Sequence, residues 1–200
     1  MQSVYSLKSY LKIAFLFCFT LVTLFADASH LIGGYMNYEF LRRAPNGDLV
    51  YTVRLNLYRD ALNSDIEFQD NIDVGIYLNN DNLALTDVVT LKTVITRNVD
   101  PPGSVDCDYY EKAVKIEYRL YEGQVILKPY TQGYHLSYVQ CCRNEQNNIT
   151  QDGTVPSQGQ TYHCFIPNTT YENSSPFFYG VPSPFMCVDD TASFLFDAVD

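Results

Sequence analysis

The chain has 200 residues, 13 Lys and Arg against 23 Asp and Glu, a formal net charge of −10, and 17 tyrosines with no tryptophan. A surface this acidic repels phosphate backbones, which argues against nucleic acid as a partner. The length suits one sizeable core and part of a second, and apolar bulk supplied by Tyr and Phe favours strands over helices.

Lys8 and Lys12 precede the apolar run Ile13–Phe25, which ends in Ala26-Asp27-Ala28. A basic start, a short apolar stretch and a small-x-small site make a secretory signal peptide. The run is shorter than the roughly 20 apolar residues a spanning helix needs. Residues 1–28 are therefore expected to be removed, and the mature chain to start near Ser29 and work outside the inner membrane. No later stretch reaches membrane length, so no transmembrane span is expected in the mature chain.

Beyond residue 28 the strand signals recur. Tyr35–Leu41 is a candidate strand, and Pro45-Asn46-Gly47-Asp48 reads as the hairpin turn joining residues 35–43 to 49–59. Val53, Leu55 and Leu57 alternate with Arg54 and Asn56, a period of two with one buried face. A short helical piece is conceivable only near Leu62–Phe68. Ile72–Leu78, Val88–Thr96 and Tyr134–Cys142 are further strands. Val114, Ile116, Tyr118 and Leu120 form another, with Lys115, Glu117 and Arg119 on its wet face. Turns are expected at residues 79–82, at Pro101-Pro102-Gly103 and at Glu122-Gly123. About seven short strands with turns between them predict an all-β, antiparallel Ig-like β-sandwich over residues 29–170. Residues 143–160 read as a long polar loop and residues 162–171 as a last strand. Residues 171–200, rich in proline turns, read as a linker and the first strands of a second β module. The chain is expected to continue past Asp200 into further modules.

Five cysteines remain after the signal segment: Cys107, Cys141, Cys142, Cys164 and Cys187. In an oxidising compartment all five are disulfide candidates first. Neighbours on a strand point to opposite faces, so Cys141 and Cys142 are poorly placed to bond each other or to clamp one ion. Two separate staples are preferred, with Cys107 a partner for one and Cys164 or Cys187 for the other; a vicinal redox pair and a metal site are the alternatives. Asp189, Asp190, Asp197 and Asp200 gather at the module junction, where carboxylates could hold calcium; a solvated acidic edge is the other reading. His135 and His163 lack the ligand spacing of a zinc finger, and His30 sits at the mature N-terminus. Without G-x-S-x-G or any pattern that places a nucleophile beside a base, no catalytic residue is assigned and no enzyme activity is expected. Apart from calcium, no cofactor is expected. Sequons occur at Asn148, Asn168 and Asn173.

Five fragments in order, "SHLIGGYMNYEF" (29–40), "LNLYRD" (55–60), "GYHLSYVQCCRN" (133–144), "NSSPFF" (173–178) and "PFMCVDD" (184–190), give the chain a resemblance. It resembles the N-terminal region of large Bacteroidetes cell-surface proteins, gliding-motility-associated or adhesin-like, built from Ig-like or PKD-like modules and exported by type IX secretion. The resemblance implies export, a β-sandwich N-terminal region and a role at the cell surface. Such proteins commonly carry Cys directly after the "YRD" stretch, where this chain has Ala61. The function expected is a non-enzymatic structural or adhesive module, with downstream modules of the same chain and an extracellular polysaccharide or protein ligand as partners. A carbohydrate-binding module using a Tyr-rich face is the alternative.

Overall fold

The computed structural model describes residues 31–62, 66–99, 115–140, 159–178 and 198–199. Seven strands, β1 (Leu31–Arg43), β2 (Leu49–Asp60), β3 (Asn71–Leu78), β4 (Leu85–Val99), β5 (Ile116–Leu127), β6 (Tyr134–Gln140) and β7 (Gln160–Ile166), form a continuous sheet. The order is β1-β2-β5-β4-β3-β6-β7, and every pairing is antiparallel. The chain is all-β with a sandwich-like fold, and the order matches an immunoglobulin arrangement of a four-stranded and a three-stranded layer.

The joint between the layers is the 15-residue β4. Its first half, Leu85–Lys92, pairs with β3, and its second half, Lys92–Val99, pairs with β5, with a register shift between Thr93 and Ile95. An irregularity of this kind bends a strand and increases its twist, so one strand serves both layers. At the far edges β7 comes against β1, where Gln160 Nε2 donates to the carbonyl oxygen of Leu31 at 3.1 Å.

Between the layers lies the core. β2 contributes Leu49, Tyr51, Val53, Leu55 and Leu57, β3 Ile72, Val74 and Ile76, β4 Leu91, and β5 Tyr121, Val125 and Leu127. The expected alternation of Val53, Leu55 and Leu57 is the inward face of β2. The hairpin turn also lies where the sequence puts it: Gly47 has φ +91°, Ala44 N donates to Asp48 O at 2.7 Å, and Asn46 Oδ1 accepts from Asp48 N. No described residue is helical, and residues 66–68 of the Leu62–Phe68 stretch have no regular structure.

Glu122-Gly123 is not a turn, because β5 runs unbroken from Ile116 to Leu127. Gly123 is there because β4 crosses so close: a Cβ at that position would meet Leu91 Cδ2 at 2.7 Å and the Thr90 carbonyl oxygen at 3.0 Å. Gly133, before β6, is constrained twice, by φ +83° and by the Ile166 carbonyl oxygen 2.3 Å from where its Cβ would sit. Gly133→Ala is expected to cost about 2–4 kcal/mol, combining left-handed strain with overpacking. Gly33→Ala, with open space around it, should change stability by less than about 0.5 kcal/mol. Urea midpoints of the two variants check the contrast.

Beyond β7 the chain returns to the free edge of β1. Ser175 Oγ accepts from Tyr38 N at 2.9 Å, Ser174 Oγ accepts from Phe40 N at 3.0 Å, and Ser175 N donates to Tyr38 O at 2.9 Å. Two hydroxyls and one amide thus satisfy the Tyr38 and Phe40 main-chain groups of an edge that would otherwise invite another strand there. β8 (Phe177–Phe178) then pairs with β9 (Ala198–Val199) in a separate two-stranded sheet. Among the described residues, no helix is long and apolar enough to cross a membrane.

Candidate functional site

The outer face of the four-stranded layer carries a second, smaller apolar cluster. Tyr58, Ile116 and Tyr118 are buried there, packed against Ile32, Tyr35, Val99 and Leu120. These residues lie on the face of β2 and β5 opposite the main core, so burial on this side needs its own cover. Phe177 and Phe178 form one wall, with the Phe178 ring edge-on to Tyr35 at 5.3 Å between centroids.

A groove of about 360 Å³ opens between this wall and the sheet. Its floor is polar. Asn37 and Asn56, on adjacent strands, are both buried. Tyr118 O–H donates to Asn56 Oδ1 at 2.7 Å, and Asn56 Nδ2 reaches the Tyr35 carbonyl oxygen at 3.4 Å. At one end Arg54 lies between two carboxylates, Nη1 to Glu39 and Nε to Glu122, each at 2.8 Å. At the other, the Arg97 guanidinium lies 5.4 Å from the centroid of the Tyr118 ring, with no carboxylate partner among the described residues. A second lobe of about 270 Å³ shares Asn37, Arg54 and Phe177 and extends to Ser174 and Ser175.

Burial, reinforced by Tyr118, pushes the Tyr35 phenol up to about 12. Burial also raises Tyr118, against the opposing pull of Arg97, and raises Tyr58. All three are neutral phenols at physiological pH, able to donate and accept hydrogen bonds but not to act as bases. The hydroxyl oxygens of Ser174 and Ser175 are engaged by β1, and among the described residues no histidine lines either lobe. The arrangement offers aromatic faces, fixed amides and the Arg97 guanidinium, a set that suits a hydroxyl-rich ligand with apolar ring faces.

A charged network at one mouth of the sandwich does a different job. Arg59 Nη2 meets Glu117 Oε2 at 2.6 Å, and Arg119 Nη2 lies 3.8 Å from Glu117 Oε1; the three side chains are only 12–14 % exposed. Arg119 also donates to the carbonyl oxygens of Phe68 and Gln69, and Arg59 to that of Ile66. The Phe68 ring has a guanidinium at 5.6 Å and another at 5.1 Å. The network ties residues 66–70 to β2 and β5, and it reverses the expectation that Glu117 and Arg119 face water.

Of the cysteines singled out by the sequence, Cys164 lies on β7 facing the core, a buried free thiol that burial pushes up to about 12. Cys107, Cys141, Cys142 and Cys187 lie outside the described residues, as do Asp189, Asp190, Asp197 and Asp200. Among the described residues no group of three or more His, Cys, Asp or Glu converges. Two of the sequon asparagines have internal roles: Asn168 Oδ1 accepts from Thr170 N, and Asn173 Nδ2 donates to Tyr38 Oη. The groove itself was missed by the sequence reading. Its signal was present in the polar Asn56 and Arg54 of a central strand, but only the pairing of β1, β2, β5 and β4 puts them beside Tyr118 and Arg97.

No protein-family model, no curated protein and no solved structure matches this chain.

Proposed function

We propose that the chain is a non-enzymatic adhesive module of a large secreted cell-surface protein, and that the groove over β1, β2, β5 and β4 holds an extracellular polysaccharide. The observation that carries this reading is the groove's lining: neutral phenols, two buried amides and the exposed Arg97, which has no carboxylate partner among the described residues. Sugar rings present apolar faces to aromatic side chains and hydroxyls to amides and guanidinium, so the ligand class follows from the chemistry of the walls. The signal segment at residues 1–28 supports export, and the five sequence fragments support a place in gliding motility or surface attachment and a route through type IX secretion. A β-sandwich whose free edge is capped by Ser174 and Ser175 suits a module that must stay unaggregated outside the cell.

The test is retention of the purified chain on isolated surface polysaccharide, beside a hydrolase panel on the same material. Wild type should be retained without turnover. Arg97→Ala, at an exposed position, should weaken retention roughly tenfold, the loss of one charge-assisted hydrogen bond, at an unchanged melting temperature. Release of new reducing ends, or wild-type retention by Arg97→Ala, would contradict the reading.

A further inference from the structure

Away from the groove, the outer face of the three-stranded layer brings two histidines together. On β6 and β7, His135 is opposite Phe165 and Ser137 is opposite His163. The two histidines are therefore diagonal neighbours on one face, within reach of each other's rings. His135 Nδ1 and His163 Nε2 are 2.8 Å apart, and the Phe165 ring lies tilted against the His135 ring at 4.8 Å between centroids.

The proton on His135 can be placed. Asn79 Nδ2 donates to the Gln132 carbonyl oxygen at 2.8 Å, which turns Asn79 Oδ1 toward His135 Nε2 at 3.1 Å. Oδ1 is an acceptor only, so His135 carries its proton on Nε2 and leaves a lone pair on Nδ1, facing His163. A ring whose far N–H is held by a fixed oxygen, with the near nitrogen bare, is how metal-binding histidines are oriented. Two donors at about 2.0 Å from one ion stand about 2.8 Å apart when they subtend a right angle, and about 3.3 Å apart at a tetrahedral ion. The observed 2.8 Å is the hydrogen bond that His163 Nε2–H gives to the His135 lone pair; once that proton is displaced, the two nitrogens keep the first separation while the rings turn to aim both lone pairs at one ion. Cys164, next to His163, is no competitor, since its buried thiol points into the core.

We infer that His135 and His163 form a two-imidazole site for a divalent ion of square-planar preference, copper(II) above all, with solvent completing the coordination. Binding moves the His163 proton from Nε2 to Nδ1, so that both facing nitrogens present lone pairs and no redox change is involved. The site is distinct from the groove and does not depend on its reading.

The chain has only three histidines, which makes the test clean. In the purified full chain carrying His30→Ala, with accessible thiols alkylated, copper(II) alone is titrated and followed by electron paramagnetic resonance. The expected result is one equivalent bound with hyperfine splitting from two imidazole nitrogens, which only His135 and His163 can then supply. Adding His163→Ala or His135→Ala should remove one imidazole nitrogen and weaken binding at least roughly tenfold, with the strand circular dichroism unchanged. Asn79→Ala, which leaves both ligands in place, should weaken binding in the same direction by a smaller factor. Coordination by one imidazole or none in the His30→Ala chain, or equal affinity after His163→Ala, overturns the proposal.

Discussion

Glu117→Ala should destabilise the fold by about 3–5 kcal/mol, the usual consequence of removing one partner from a buried ion pair. Glu117 is the one carboxylate between Arg59 and Arg119, and all three side chains are nearly out of water. Without it Arg119 keeps the carbonyl oxygens of Phe68 and Gln69 and a longer, exposed pair with Asp70 at 3.7 Å, and Arg59 keeps the carbonyl oxygen of Ile66 but loses its close carboxylate. Among the described residues, Arg119 Nε already has no hydrogen-bond partner. The loss should appear as local loosening as well, with amide exchange at residues 66–70 rising more than in β3. Glu172→Ala is the control. Its pair with Arg43 is 3.8 Å long and exposed, so the expected loss is at most about 1 kcal/mol. Equal urea midpoints for the two variants would show that the network contributes no more than a surface pair.

Alkaline pH should unfold the chain cooperatively, and the sign follows from the phenols and the core thiol. Burial raises Tyr51 and Tyr121 to about 12 from an ordinary value of 10, and Cys164 to about 12 from 9. Each group gives up its proton more readily when unfolded. Its contribution is therefore complete below its unfolded pKa and is lost as pH rises toward the folded value. Each unit of difference is about 1.4 kcal/mol, so these three groups together remove several kcal/mol between about pH 9 and pH 12 from a stability that is ordinarily about 5–15 kcal/mol. A titration of tyrosinate absorbance should split in two. Exposed phenols ionise near pH 10, and the buried set ionises only together with the loss of strand circular dichroism. A single smooth titration with the strand signal intact throughout would contradict the burial described for Tyr51 and Tyr121.

The sequence made the main layers legible because period-two alternation is a local property. Val53, Leu55 and Leu57 announce their face without knowledge of any partner strand, and Gly47 announces its turn. What was not legible depended on pairing. Gly123 looks like a turn residue until β4 is seen crossing within contact of its Cα; the requirement belongs to Leu91, 32 positions away. Glu117 and Arg119 look wet because charge is ordinarily solvated, and their burial depends on Arg59 and on residues 68–70, which arrive from elsewhere in the chain. His135 and His163 have no recognisable spacing along the chain, since their meeting is set by the β6–β7 register. The "NSSPFF" fragment reads as the entry to a second module, and nothing local in it says that its serines hydrogen-bond to the edge of β1.

The groove is the centre of this account, and nuclear magnetic resonance titration of the chain with surface polysaccharide probes it most directly. Shifts should concentrate on the side-chain amides of Asn37 and Asn56 and on the rings of Tyr35, Tyr118 and Phe178, with β6 and β7 silent. Saturable shifts confined to the β3–β6–β7 face, or none at any polysaccharide concentration, would contradict a ligand seated over β1, β2, β5 and β4.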